Sequence, residues 1–262
     1  MKETHIFYAP EVADGVLELP QEEAGHAVRV LRMKEDDELT LTDGVGHFYD
    51  AQITLASQKH CQFRINRSYD DSKLWNGRIH IAIAPTKNMD RMEWMAEKIT
   101  EIGVDEISLL NCTNSERRVV KNERLEKIVI SAMKQSHKAF KPLIHDLVPF
   151  KDFIVQPFEG QRFIAHCYNP EDITEEENAS AQPKNESGLD IHLSDRNFLG
   201  DLLHANEPAV VLIGPEGDFS VEEVKLAVAA GFVPISLGES RLRTETAALV
   251  AVHLMYLAKR KK

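Results

Sequence analysis

Two stretches of this chain combine residue types that suit a bound ligand better than a packed core. Val210-Val-Leu-Ile-Gly-Pro-Glu-Gly217 is an apolar run that opens directly into a glycine turn. Gly214 and Gly217 let a ligand approach main-chain atoms, and Pro215 stiffens the turn between them. Ile235-Ser-Leu-Gly238 repeats the layout and leads into Glu239-Ser-Arg-Leu-Arg-Thr-Glu-Thr246. In open α/β sheets, ligands bind outside the carboxyl ends of strands. Two glycine turns at two strand ends therefore point to one shared pocket, although a lone turn of this kind also serves as a plain strand-to-helix connection. The chain carries no early GxGxxG, and no GKS or GKT follows the turn, so neither a dinucleotide fingerprint nor a P-loop is present.

The elements that must hold these turns follow from periodicity. From Arg78 onward, strands alternate with helices, which predicts a largely parallel α/β sheet. Ile79, Ile81 and Ile83 begin one strand, and Ile107–Leu110, Phe163–Cys167, Val210–Ile213 and Ile235–Leu237 are others. Asn88 or Asp90 can cap a helix whose Met92, Met95, Ala96, Ile99 and Ile102 form one stripe, stopped by Gly103. Asn122 can cap a second helix and Thr244 a last one, while Ser220-Val-Glu-Glu223 reads as a capping box. Upstream of a polar linker at Tyr69–Lys73 the pattern is different. Five or six short strands, a tight Asp43-Gly44 turn and one helix over Gln21–Leu31 predict a small β-barrel. The expected domains are 1–73 and 74–262.

Composition narrows the class. Of 262 residues, 43% are apolar and 28% charged, which fits a soluble globular protein. No apolar run reaches a membrane span, and the N-terminus lacks a signal-peptide stretch. Cys61, Cys112 and Cys167 are odd in number and widely spaced, so reduced thiols in a cytoplasmic protein are expected, with no metal. Net charge is -11, which argues against a nucleic-acid partner until its distribution is considered. Residues 169–201 hold nine acidic against two basic side chains, whereas 111–145 hold eight basic against three acidic, and 241–262 six against one. Such basic segments can contact phosphates, or can simply be solvated surface. The acidic stretch 169–190 reads as a surface excursion.

Four blocks carry a resemblance. LIGPEGDFS with LGESRLRTETAAL, HAVRVLRMKEDDELTLTDG from His26 to Gly44, KITEIGVDEI from Lys98 to Ile107, and AMKQSHKAFKP from Ala132 to Pro142 stand in order along nearly the whole chain. The chain resembles the RsmE family of SPOUT methyltransferases. The resemblance implies an α/β fold with an N-terminal PUA-like β-barrel and a C-terminal trefoil-knot methyltransferase domain. It also implies a homodimer, S-adenosylmethionine as cofactor, and methylation of uracil N3 in 16S ribosomal RNA or the assembled small ribosomal subunit.

Carried onto this chain, the family's cofactor pocket comprises Leu212, Ile213, Gly214, Pro215, Glu216, Gly217, Leu237, Gly238, Ser240, Leu242, Arg243 and Thr246. His166 and Cys167 close the adenosine side. Uracil N3 carries a proton that must leave, so a base or an anion-stabilising cation is needed. Arg243 is the cation expected there, with Glu245 or Glu216 as the base. Structural roles, Glu216 capping the helix at Ser220 and pairing with Arg243, remain open. RNA contacts are expected from His26, Arg29 and Arg32 on one helix face, from Arg117, Arg118, Lys121 and Arg124, and from Lys138, with Lys134 and Lys141 nearby. Three positions depart from the family pattern. His5 and His137 stand where arginines are common, and Asp218 turns the usual GPEGG into GPEGD. Alternatives include a ribose 2′-OH methyltransferase, although Lys87-Asn-Met-Asp-Arg91 lacks the Asn-x-x-Gly-x-x-Arg block typical of those enzymes. A non-catalytic RNA-binding protein and a small-molecule nucleotide-binding protein are the others.

Overall fold

The computed structural model describes residues 5–57, 59–168 and 196–261, so the acidic excursion at 169–190 lies outside the described residues. Among the described residues, no helix is long and apolar enough to cross a membrane. The chain divides into two compact units. One is built on residues up to Lys73 together with Val129–Lys141, the other on Leu74–Ile128 and Pro142 onward.

The first unit holds β1 (Ile6–Tyr8), β2 (Glu38–Thr42), β3 (His47–Ala56) and β4 (Cys61–Asp70), ordered β1-β2-β3-β4. β1 runs parallel to β2 and the other pairs are antiparallel. The sheet has four strands rather than five or six, because Leu17–Leu19 contributes only an isolated Glu18–Gln62 bridge. Phe7, Leu41, Ile53 and Phe63 are buried in its core. The Asp43-Gly44 turn is present, with Gly44 at φ 80° and Gly46 at φ 122°. Asp43 accepts from the Val45 and His47 amides and meets His47 Nδ1 at 2.6 Å. Burial raises the Asp43 carboxyl, and these hydrogen bonds more than offset it, holding it below the usual carboxylate range.

The expected helix at Gln21–Leu31 is less regular than its periodicity. α1 (Gln21–Gly25) passes into a π-helical turn at His26–Val30, and Arg32 leaves it at φ 57°. The π turn spaces residues more widely than an α-helix, so His26, Arg29 and Arg32 do not form the single face that three-residue spacing predicts. All three are exposed.

The second unit is a seven-stranded sheet, parallel throughout. Its strands are β5 (Ile79–Ile83), β6 (Glu106–Asn111), β7 (Leu143–Pro149), β8 (Gln161–Ala165), β9 (Asn197–Phe198), β10 (Ala209–Ile213) and β11 (Val233–Ser236), ordered β7-β6-β5-β10-β8-β11-β9. β5 and β10 are buried at every position, as central strands covered on both faces should be. α2 (Met89–Ile102) is capped by Asn88, whose side chain accepts from the Asp90 amide, and ends at Gly103 with φ 132°. α3 (Asn122–Gln135) begins at Asn122, whose amide donates to Asp146 rather than capping the helix. The short α4 (Phe150–Ile154) and α5 (Leu199–Leu202) follow, then α6 (Val221–Ala229) and α7 (Thr244–Lys259). α7 starts one residue earlier than a Thr244 cap implies, because Arg243 occupies the cap position without a side-chain bond.

Parity assigns the two faces of this sheet. Ala82, Ala84, Leu110, Ile164, Val210 and Leu212 pack with Phe150, Phe153, Phe219, Val224 and Val228 from α4, α6 and the loop before α6. α2 and α7 pack on each other, and α7 also packs on β5 and β10. Lys259, one of the basic residues of the 241–262 segment, is fully buried rather than solvated, and its Nζ donates to the carbonyls of His204, at 2.9 Å, and Glu207. Burial pushes its pKa down.

Candidate functional site

The register of the parallel sheet brings the glycine turns together. Ile213 at the end of β10 pairs with Ala165 at the end of β8, and Ala165 pairs with Ile235 of β11. The segments that follow these strands, Gly214–Gly217, His166–Cys167 and Leu237 onward, therefore leave one edge of the sheet side by side. Sequence periodicity shows each strand but not that β8 lies between the other two.

The turn after β10 is built mainly from backbone. A Cβ on Gly214 would lie 2.9 Å from the Phe219 amide nitrogen, so no larger residue fits without moving main chain. The Asp218 amide donates to the Pro215 carbonyl at 2.9 Å, closing a tight turn. Phe219 then plunges into the core, fully buried with its ring 5.3 Å from that of Phe150. Burying such a ring contributes about 3 kcal/mol, enough to fix the end of the turn. Ser220 begins α6 with the expected capping box, in which its hydroxyl accepts from the Glu223 amide while Glu223 accepts from the Ser220 amide. Glu223 also accepts from the Thr113 amide at 2.8 Å, tying the turn to the loop after β6. Asn114 on that loop donates to the carbonyls of Gly217 and Asp218 at 3.3 and 3.1 Å.

Asp218 explains its own departure from GPEGG. Its φ is 62°, a left-handed conformation that glycine adopts freely. Here the carboxylate compensates by accepting from its neighbour Phe219 and, at 2.7 Å, from the Cys167 amide. The added charge thus joins the β8 and β10 loops. His166 is buried, and its carbonyl accepts from Arg196 at 2.6 Å. Cys167 is exposed, and its thiol is raised by partial burial and by the Asp218 carboxylate.

The two glutamates take different environments. Glu216 is exposed, and Oε1 accepts from the Lys87 amide at 2.9 Å, so it neither caps α6 nor pairs with Arg243. Glu245 is buried in the first turn of α7, with Oε1 3.8 Å from Arg91 Nε and Oε2 making no hydrogen bond. Both carboxylates therefore meet the segment Lys87–Arg91. Arg243 is exposed; its carbonyl accepts from the Ala247 amide, and among the described residues its guanidinium makes no hydrogen bond or ion pair. Leu212 and Ile213 are buried at the end of β10, with Pro215 beside them. Leu237, Leu242 and Thr246 are half-buried, while Gly217, Gly238 and Ser240 are exposed. Gly238 has φ 121° and open space around it.

The basic residues divide by what they already hold. Arg117 donates to the carbonyls of Thr86, at 3.3 Å, and Lys87, at 2.6 Å, so it braces the segment that Glu216 also grips. Arg124 pairs with Glu93 at 2.6 Å. Lys134 pairs with Glu23 at 2.5 Å, both largely buried. Arg118 and Lys121 are exposed, and Lys138 is half-buried. Asn114 and Arg196 are the supporting residues that sequence reasoning missed, while Asp218 and Glu223 were noted only as a departure in the turn and as part of a capping box. Neither Asn114 nor Arg196 carries a local signal, because each acts on a segment far away in the chain.

Residues 73–256 match the model of an RNA methyltransferase domain, and residues 19–66 match that of an RNA methyltransferase PUA domain. The chain belongs to this RNA methyltransferase family. A probable rRNA-methyltransferase from Porphyromonas gingivalis is 45% identical, with a TM-score of 0.83 and coverage of 97% of this chain and 98% of its own. A ribosomal RNA small subunit methyltransferase E from Neisseria gonorrhoeae, solved bound to S-adenosyl methionine, is 26% identical, with a TM-score of 0.75 over 97% of both chains. The Rickettsia conorii protein named ribosomal RNA small subunit methyltransferase E is 26% identical over 259 residues, 96% of this chain and 94% of its own. The family resemblance read from the four sequence blocks holds, as does the fold class: a PUA-like N-terminal unit and a C-terminal parallel α/β domain like those of SPOUT methyltransferases.

Proposed function

We propose that this chain methylates N3 of one uracil in 16S ribosomal RNA, in the small ribosomal subunit, with S-adenosylmethionine as the cofactor. One observation carries the reading: in a member of an RNA methyltransferase family, three neighbouring strands end together in loops made of glycines, backbone and apolar side chains. Gly214, which has no room for a Cβ, and Gly238, which has open space, suit a flat ligand held by main chain. When bound, S-adenosylmethionine supplies an already activated methyl group. Leu212 to Gly217, His166, Leu237, Gly238, Ser240, Leu242, Arg243 and Thr246 would hold it.

The chain's own task is then to align uracil and manage its N3 proton. The exposed, unpaired Arg243 would stabilise the uracil anion. Of the two glutamates, Glu245 is the better base, because its buried Oε2 has no other partner whereas Glu216 is engaged with Lys87. His26, Arg29, Arg32 and Lys138 in the first unit, and Arg117, Arg118, Lys121 and Arg124 in the second, would contact phosphates. A PUA-like domain over 1–73 would bind RNA, and the methyltransferase domain over 74–262 would carry out methyl transfer and add its own phosphate contacts. A homodimer, a trefoil knot in the C-terminal domain and a cytoplasmic location complete the proposal.

The test is methylation of small subunits purified from a strain lacking the corresponding gene, followed by nuclease digestion and mass spectrometry. A 3-methyluridine product is expected. A 2′-O-methyl product, or no transfer together with no S-adenosylmethionine binding by calorimetry, would refute the reading. Binding to the RNA should also weaken steeply between low and moderate salt.

A further inference from the structure

We propose that His80, Glu106 and His145 form a binding site for one divalent transition-metal ion of the zinc class, at the amino-terminal side of the parallel sheet. The three residues come from three adjacent strands. Register makes His80 the partner of Glu106 and Ser108 the partner of His145, so all four side chains lie on one face. One ligand atom from each of the three, an imidazole nitrogen or a carboxylate oxygen, lies within 4.8 Å of the others. His80 Nδ1 is 3.8 Å from Glu106 Oε2, and His145 Nε2 is 3.0 Å from the same oxygen. Metal bonds of about 2.0–2.1 Å set tetrahedral ligands about 3.4 Å apart, so small side-chain rotations close the set.

Two features point to a ligand rather than to three idle polar groups. The His80 side chain is only 7% exposed, yet its Nδ1 makes no hydrogen bond and faces the cluster. Buried polar atoms are rarely left so, and each needs an explanation. In addition, both would-be ligands that need orienting already have an outer partner. His80 Nε2 meets Ser108 Oγ at 2.8 Å, which fixes the ring with Nδ1 inward, and Arg78 donates to Glu106 Oε1 at 3.0 Å, leaving Oε2 for the site. Metal-binding histidines and carboxylates are usually held this way. The cluster lines a cavity of about 300 Å³, walled by Phe153 and Phe158, with room for a water or small ligand at a fourth position. Two imidazoles and one carboxylate with an open position favour zinc and its neighbours over magnesium or calcium. Cysteine spacing says nothing of such a site, because its ligands lie far apart in the chain.

The full chain, stripped of metal by a chelator, is titrated with Zn²⁺ in a calorimeter. One equivalent should bind with micromolar affinity or tighter. His145→Ala removes a half-exposed ligand from an edge strand, where folding tolerates it, and should weaken binding by at least roughly tenfold; Ser108→Ala, which frees the His80 ring, should weaken it by about tenfold. Co²⁺ should give a visible absorption band of tetrahedral intensity that disappears in His145→Ala. No saturable Zn²⁺ binding, or one equivalent whose affinity is unchanged in His145→Ala, would overturn the proposal.

Discussion

The two ends of the parallel sheet are built from different materials. At the carboxyl ends of β8, β10 and β11, shape comes from glycines, main-chain hydrogen bonds and buried leucine and isoleucine. Toward the amino-terminal ends of β5, β6 and β7, a cavity is lined by titratable side chains that grip one another. The first construction suits a ligand recognised by outline and main chain, with the Asp218, Glu216 and Glu223 carboxylates tying its loops together. The second is set by charge and protonation, and acid should dismantle it. A sheet of one hydrogen-bonding pattern thus supports two unlike environments, because only the residues at its two edges differ.

The largest effect should come from Arg243, an exposed cation in the carboxyl-end loops. Arg243→Ala should lower the rate of methyl transfer by about a thousandfold. Its folding stability should change by no more than about 0.5 kcal/mol, since the guanidinium is exposed and unpaired. Near-normal turnover would remove Arg243 from the chemistry and leave that end a purely backbone-built site.

The opposite end should answer to pH. Burial lowers the His80 pKa to about 4, below the ordinary value of 6.5, and Glu106 is also depressed: burial raises it, but His80, His145 and Arg78 outweigh that. Between these His80 values the unfolded chain binds the proton and the folded chain does not. Stability from neutral His80 is therefore present above pH 6.5 and lost as pH falls toward 4, and the Glu106 contribution is lost in the same direction. In chelator, denaturant unfolding should show up to about 3 kcal/mol lost across that range from His80. His80→Gln should flatten the slope; an unchanged slope would mean that acid acts elsewhere.

Gly214→Ala tests the backbone-built end directly. The new Cβ meets the Phe219 amide at 2.9 Å, so main chain must shift. S-adenosylmethionine affinity should fall at least tenfold, about 1.4 kcal/mol, by calorimetry. The smallest effect is expected from Asp218→Gly, which relieves a left-handed residue but removes the bond to the Cys167 amide. These opposing terms should leave stability within about 1 kcal/mol of the parent, measured by thermal unfolding.

Much of the carboxyl-end site was legible in the sequence, because its signals are local. An apolar run, a glycine turn and the Ser220–Glu223 capping box sit within fourteen residues, and the Asn88 cap and Gly103 stop are equally short-range. Features that depend on long-range pairing were not legible. Nothing local indicates that β8 separates β10 from β11, or that Lys259 turns inward to the carbonyls of His204 and Glu207. β7 escaped notice because it is an edge strand with little buried alternation. The His80–Glu106–His145 cluster depends on register across three strands, which no spacing in the chain encodes.

The cysteines, which first served only to argue against disulfides, end with a practical meaning. Cys61 and Cys112 are buried, and Cys167 is exposed on the loop after β8, beside the Pro215–Asp218 turn. A maleimide dye should therefore mark the native protein at a single position, next to the loops proposed to hold the cofactor. Partial burial and the Asp218 carboxylate raise that thiol's pKa, so labelling at neutral pH should be slow. Once attached, the dye becomes an optical gauge of pocket occupancy that needs no engineered residue.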